Sequence, residues 1–211
     1  MSVTNIFEDP GFVAQLEAHW KEEYAKGVDS YPVCVALADP LMREAGVKVL
    51  DVGCGVGRLA EMLPSHVNYH GLDSSAEMVD RVHQRGCGAT KGSVYSIPFP
   101  DEFFDVVICN SVLIHCGDVP RAVKELWRVT KKRLITTYYW KWSPFHKIEP
   151  LLLENYESGT NQWIIRNTIP RWMIKRLFTK HIQPARCQFY FKDGVHLAKE
   201  KIAFVAADRN L

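Results

Sequence analysis

The chain has 211 residues, 47% of them hydrophobic and 24% charged, and a formal net charge of +2. This balance fits one folded domain large enough to bury its own core, and it excludes disordered, collagen-like and disulfide-stapled classes. No run of about 18 apolar residues occurs, and residues 1–5 carry no basic region followed by an apolar stretch, so neither a membrane span nor a secretory signal is expected.

The predicted elements alternate along the chain. Phe12, Val13, Leu16, Trp20 and Tyr24 recur at helical spacing and predict an amphipathic helix over 11–26, stopped near Gly27. A second helix is expected over 33–45. The β-branched run 47–52 predicts a buried strand that ends in Asp51 and the glycines Gly53, Gly55 and Gly57, followed by an amphipathic helix over 57–63 stopped at Pro64. A second strand is expected over 67–72, then a helix capped by Ser74 or Ser75 and running to Gly86. A short strand falls near 89–91. Residues 104–110 (FDVVICN) are apolar at nearly every position and read as a strand buried on both faces. A helix over 118–130 and a strand over 133–139 follow.

This alternation predicts an α/β fold, a Rossmann-like, doubly wound, mostly parallel sheet. The last 70 or so residues break the rhythm: 161–169 reads as extended, 171–180 as a basic amphipathic helix, and 188–192 and 201–207 as a C-terminal antiparallel strand pair. The whole chain, 1–211, reads as one domain, with a helical cover over 1–45, a cofactor-binding core over 46–140, a lid and helix over 141–184 and closing strands over 185–211.

The glycine loop is the most informative segment. Glycines at this spacing let the backbone turn sharply and leave no Cβ between chain and ligand, while the N–H groups of the next helix face the top of the sheet. The dinucleotide fingerprint is G-x-G-x-x-G with a carboxylate about 20 residues on. Here the order is D-x-G-x-G-x-G, and Asp73 supplies the later acid. A structural turn ahead of a packed helix would need only the glycines, not Asp73.

VLDVGCGVGRLA, HGLDSSAEM and GSVYSIPFPDEFFDVVICNSVLIH together resemble three successive motifs of the class I S-adenosylmethionine-dependent methyltransferases, most closely the broad group that acts on small molecules. The resemblance spans roughly residues 45–137 and implies S-adenosyl-L-methionine as cofactor. It also implies the antiparallel closure of the sheet. Gly53, Cys54, Gly55 and Gly57 would border the methionine part and ribose, with Asp51 holding water or the ammonium group. Asp73 would take the paired ribose hydroxyls, because a carboxylate offers two acceptor oxygens. Ser74 would assist, and Met78 would lie against the adenine unless it is core. Ser93 stands where the family usually has an acid, and Val94 would serve the adenine ring through its N–H. The Asn110 carbonyl would hold the ammonium. His115 is the candidate catalytic base, its alternative being a loop residue bonded to backbone.

Acceptor recognition is expected from Tyr24 and Tyr31 in the cover, and from Tyr139, Trp140, Trp163 and Arg166 within an aromatic-rich lid over 138–172. Those aromatics equally suit a satellite core. Charge is uneven: residues 1–120 hold 8 Lys or Arg against 17 Asp or Glu, a balance of −9, and residues 121–211 hold 18 against 7, a balance of +11. The basic half either faces something anionic or solvates helix faces.

The expected function is methyl transfer to an oxygen or nitrogen of a small, anionic or aromatic acceptor. Two alternatives stand beside it: an RNA-directed methyltransferase, disfavoured because Asn110-Ser111-Val112-Leu113 lacks the N-P-P-Y type tetrad, and a non-catalytic cofactor-binding regulator. The six cysteines form no C-x-x-C pair, so a cytoplasmic protein with reduced thiols and no metal site is expected. No membrane partner is expected, and the sequence does not fix the oligomeric state.

Overall fold

The computed structural model describes residues 6–27, 29–140, 147–154, 161–168, 170–182, 185–192 and 201–209. Its centre is a seven-stranded sheet in the order β3-β2-β1-β4-β5-β9-β8. The strands are β1 (Lys48–Val52), β2 (Asn68–Asp73), β3 (Gly88–Lys91), β4 (Phe104–Cys109), β5 (Thr130–Trp140), β8 (Ala185–Lys192) and β9 (Lys201–Arg209). The first five pair in parallel, while β9 runs antiparallel to both β5 and β8. The expected Rossmann-like fold and antiparallel closure are therefore both present.

Alternation along β1 sorts the layers, since successive side chains leave opposite faces. Leu50 and Val52 join Val107, Leu134 and the inner residues of α4 (Val119–Val129) and α5 (Arg171–His181). Val49 faces the other way, toward Val106, Ile108, Ile135 and helix α2 (Tyr31–Ala38). Strand order reverses between β1 and β4, so the carboxyl ends of these two strands flank the crevice where open α/β sheets hold ligands. Helix α1 (Pro10–Ala25), capped by the Asp9 carboxylate on Phe12 N–H at 2.8 Å, and the 3-10 turn Ile6–Glu8 lie near that crevice, beside the start of α3 (Ala76–Gln84).

Two expectations change, and a third gains a partner. The helix expected over 33–45 ends at Ala38 and tightens into a 3-10 turn at Asp39–Leu41, because Pro40 has no N–H to continue the ladder. The amphipathic helix expected after the glycines is the short 3-10 turn Arg58–Met62; Pro64 forces Leu63 into extended backbone (φ −83°, ψ 147°) before a full α-turn can build. The extended stretch near 161–169 is β7 (Asn161–Thr168), paired antiparallel with β6 (Lys147–Glu154) in a separate two-stranded sheet. Its side chains lie outside the described residues, as do Trp142, Phe145, His146 and Tyr156; of the lid's aromatics, Tyr138 is buried in the core and Trp172 is exposed. Among the described residues, no helix is long and apolar enough to cross a membrane.

Candidate functional site

The loop after β1 is hooked onto β2: the N–H groups of Gly53 and Cys54 donate to Leu72 O at 2.7 and 3.1 Å. Gly53 has φ +71°, and a Cβ there would lie 2.1 Å from Val112 Cγ2, so only glycine lets the β1 and β4 loops close on each other. Gly55, at φ +52°, sits at the crest, where a Cβ would meet the Trp20 ring at 3.4 Å.

Asp73, ending β2, anchors this crest. Its Oδ2 accepts from Gly55 N–H and its Oδ1 from Ser75 N–H, both at 3.0 Å, while its backbone O accepts from Gly92 N–H at 2.8 Å. Burial pushes the carboxyl pKa up, and the N–H groups of Ser75, Gly55 and Ser74 pull it back. Each oxygen keeps a lone pair beyond these bonds, which is what two vicinal hydroxyls need. The site therefore fits a ribose. Ser74 itself is exposed, and Ser75 Oγ is the α3 cap, accepting from Met78 N–H at 3.2 Å.

Asp51 is fully buried beside Tyr69, whose hydroxyl donates to Oδ2 at 3.3 Å, while Oδ1 has no partner among the described residues. Burial pushes its pKa up to about 8, against the Tyr69 bond, with the Asp73 carboxylate adding to the rise. Asp51 thus favours its protonated form at neutral pH when no cation is near. An orphaned, protonatable oxygen under the loop suits an incoming ammonium.

Other expected residues are placed differently. The Cys54 thiol is turned inward over Gly71, close enough that a Cβ there would meet Sγ at 2.7 Å, so only the Cys54 backbone belongs to the loop surface. Met78 is core: it packs with Val13 and Val56 beneath Trp20 rather than lying open for an adenine. Tyr31 is also core, buried with Cys34 against the Asp51 side of the sheet, and so is no acceptor contact. Gly57 (φ +83°) lies against Val82, at the start of the 3-10 turn. Tyr24 is half-buried with the Arg58 guanidinium 4.9 Å from its ring centroid; burial and Asp29 push its pKa up to about 12.

Ser93 is exposed in a tight turn, its Oγ accepting from Tyr95 N–H at 3.2 Å, with Val94 half-buried beside it. Asn110 is nearly buried; its Oδ1 accepts from Ser30 Oγ at 2.8 Å and Thr137 Oγ1 at 3.0 Å. His115 is exposed in the 3-10 turn Leu113–His115, five residues beyond Asn110 and beside β7. Tyr139 and Trp140 end β5, while Trp163 and Arg166 stand in β7 opposite Leu152 and Glu149; these four side chains lie outside the described residues.

The sequence pattern alone did not single out four participants. Glu8 accepts from Ala76 N–H at 2.9 Å and from Lys91 Nζ at 2.8 Å. Ser30 and Thr137 orient Asn110. Arg58 pairs with Asp29 at 3.3 Å and Glu61 at 3.0 Å, tying the α1–α2 junction to the loop. Only Arg58 lay within a recognised motif. Among the described residues, no group of three or more His, Cys, Asp or Glu is placed to hold a metal.

Comparison with known proteins agrees with this geometry. Residues 50–134 match the family described as "Methyltransferase domain". An uncharacterized methyltransferase of Schizosaccharomyces pombe is 32% identical over 134 residues, covering 51% of this chain and 48% of that protein. A malonyl-[acyl-carrier protein] O-methyltransferase of Erwinia billingiae is 37% identical over 98 residues, covering 44% and 39%. The chain spans less than half the length of the curated relatives it matches. Among solved structures, a magnesium protoporphyrin IX methyltransferase from Synechocystis with bound SAH superposes with a TM-score of 0.67 at 18% identity, covering 94% of this chain and 96% of that one. A SAM-dependent methyltransferase from Methanosarcina mazei gives 0.65 at 18% identity, covering 82% and 96%.

Proposed function

We propose that this chain, which through residues 50–134 matches the family described as "Methyltransferase domain", is a class I S-adenosylmethionine-dependent methyltransferase that moves a methyl group to an oxygen or nitrogen of a small acceptor. One observation carries the reading: the Asp73 carboxylate at the end of β2, fixed by the N–H groups of Gly55 and Ser75 at the crest of a glycine loop, with acceptor capacity left for a ribose.

When bound, the cofactor supplies an activated methyl on a good leaving group, so the protein contributes mainly position and desolvation. Asp73 would grip the sugar, the Gly53–Gly57 loop would let backbone approach the ligand, and Asp51 and the Asn110 carbonyl would receive the ammonium. Four acids converge on this region: Glu8, Asp29, Asp51 and Asp73. Glu8 and Asp29 are paired with Lys91 and Arg58, and Asp51 keeps its proton until a cation arrives, so a ligand with sulfonium and ammonium charges would be matched by Asp73 and by ionisation of Asp51. His115 stands at the rim of the β4 loop as the proposed base for an acceptor that must lose a proton.

Calorimetry with S-adenosylmethionine and its demethylated product tests the pocket. Incubation of the protein with methyl-labelled cofactor and fractionated cell extract tests the acceptor. Label in small metabolites supports the proposal, and label in RNA or in no fraction overturns it.

A further inference from the structure

Helix α5 turns one face outward, and that face carries Trp172, Lys175, Arg176, Thr179 and Lys180 at spacings of three and four. Its inner residues Ile174, Leu177 and Phe178 are sealed in the core. The helix contains no acid. Over its length the stripe runs about 12 Å, with an exposed indole (54%) at its amino end. Helix α4 packs beside α5 and adds Arg121 and Lys124 on its own outer face. The two helices are in contact, and Lys124 and Lys180 both lie within electrostatic reach of His181.

These cations differ from most others on the surface, although Lys48, Lys131 and Arg186 are likewise in no ion pair among the described residues. Arg58 is matched by Asp29 and Glu61, Arg81 by Glu77, Arg85 by Glu17 and Glu61, Arg133 by Asp208, and Arg209 by Glu102. Arg128 of α4 is matched by Glu125 and Asp101. Among the described residues, Arg121, Lys124, Lys175, Arg176 and Lys180 are in no ion pair. Arg121 and Lys175 only rest 5.5 and 5.9 Å from the ring centroids of Tyr95 and Phe189. The Asp118 carboxylate caps Arg121 N–H at 3.0 Å and also acts on His181, so it offsets part of this positive charge. Five like charges beside the single Asp118 carboxylate leave this face net positive, a cost that a polyanion removes.

We propose that the outer faces of α4 and α5 form a docking surface for single-stranded RNA, in which the cations take backbone phosphates and Trp172 stacks on a base. The exposed indole on the same stripe is what favours a polynucleotide: stacking uses an aromatic face, and every base offers one. The surface is separate from the glycine loop, and the proposal stands whether or not the chain transfers methyl groups.

The test is fluorescence anisotropy of the full chain with a labelled oligouridylate, across a salt series. Polyglutamate and vesicles rich in anionic lipid are run as competing polyanions. The expected result is binding whose log–log salt slope falls by about 1.4 in a Lys175→Gln/Arg176→Gln variant, roughly 0.7 for each phosphate no longer neutralised. Trp172→Ala should weaken binding about five- to a hundredfold without changing the slope, and Trp172→Phe should restore most of it. Lys21→Gln/Arg43→Gln, on exposed cations elsewhere, should bind like the parent. Cofactor calorimetry on the same variants reads the glycine-loop site independently. Absence of oligouridylate binding at about 50 mM salt, an unchanged slope in the double variant, or preference for polyglutamate or vesicles overturns the proposal.

Discussion

Replacing Asp51 with Asn should change how stability depends on pH, and the direction follows from burial. Asp51 is enclosed between the strands that carry Gly71 and Ile108 opposite it, and its pKa is pushed from 3.8 to about 8. An unfolded chain releases this proton near pH 4, whereas the folded chain holds it until about pH 8. Between those values the folded state binds the extra proton, so stability is fully present below pH 4 and declines as pH rises toward 8. The limiting slope is about 1.4 kcal/mol per pH unit, and the whole span is at most about 6 kcal/mol. Relaxation around a buried charge reduces that, so a loss of about 2–3 kcal/mol between pH 5 and pH 8 is the expectation. Asn keeps an acceptor for the Tyr69 hydroxyl and cannot ionise. Urea unfolding of both proteins at pH 5, 6, 7 and 8 isolates this group, because every other titration cancels in the difference. Parallel stability profiles for the two proteins would refute the account of a proton held at Asp51.

The sugar grip predicts that Asp73→Ala weakens cofactor binding about a hundredfold or more, since two hydrogen bonds to a charged acceptor are lost; calorimetry giving an unchanged affinity would remove Asp73 from the site. Gly53→Ala should cost about 1–3 kcal/mol, from a Cβ placed 2.1 Å from Val112 Cγ2 and from the left-handed φ of +71°. Adding Val112→Ala should recover part of it in thermal unfolding, and no recovery would show that backbone strain alone is at work. His115→Ala should lower turnover while leaving cofactor affinity intact, read by single-turnover kinetics with a labelled cofactor. Glu8→Ala should raise hydrogen exchange across Ile6–Glu8 and the first turn of α3, where Ala76 N–H loses its acceptor, and leave β4 unchanged.

The parts of the fold that the sequence revealed are those whose burial is written locally. β4 is apolar at nearly every position because both faces are covered, and the glycine loop and Asp73 announce a turn and a strand end that need those residue types. Faces and distant partners are another matter. Tyr31 and Met78 have the composition of ligand contacts, yet each is taken by the core, because a residue's type does not say which surface its element presents. Asn110 is oriented by Ser30, 80 positions earlier, and Glu8 caps a helix 68 positions later. No local periodicity encodes such a pairing. At Arg58–Met62 the apolar spacing is helical, yet Pro64 leaves too few residues for an α-helix to grow, and a 3-10 turn forms instead.

These long-range partners give the site one more property. The N-terminal cover touches the proposed cofactor cradle at three places: Phe7 and Glu8 at the start of α3, Trp20 at Gly55, and the Asp29–Ser30 junction at Arg58 and Asn110. Each contact ends on a residue of the cradle or its immediate neighbour, so no rearrangement of the cover can leave the cradle untouched. A ligand seated on the Trp20 side of Gly55 would have to displace or re-pack that ring, and the free energy this costs would appear equally in the affinity of the cover for the loop, because linkage between two binding events is reciprocal. The acids at these contacts, Glu8 and Asp29, are already engaged by Lys91 and Arg58, so a cationic ligand entering the cradle competes with the protein's own cations for them. On the proposed function, cofactor loading and cover position are therefore coupled, and substitutions at Glu8, Trp20 or Asp29 would alter binding at a loop that lies later in the chain.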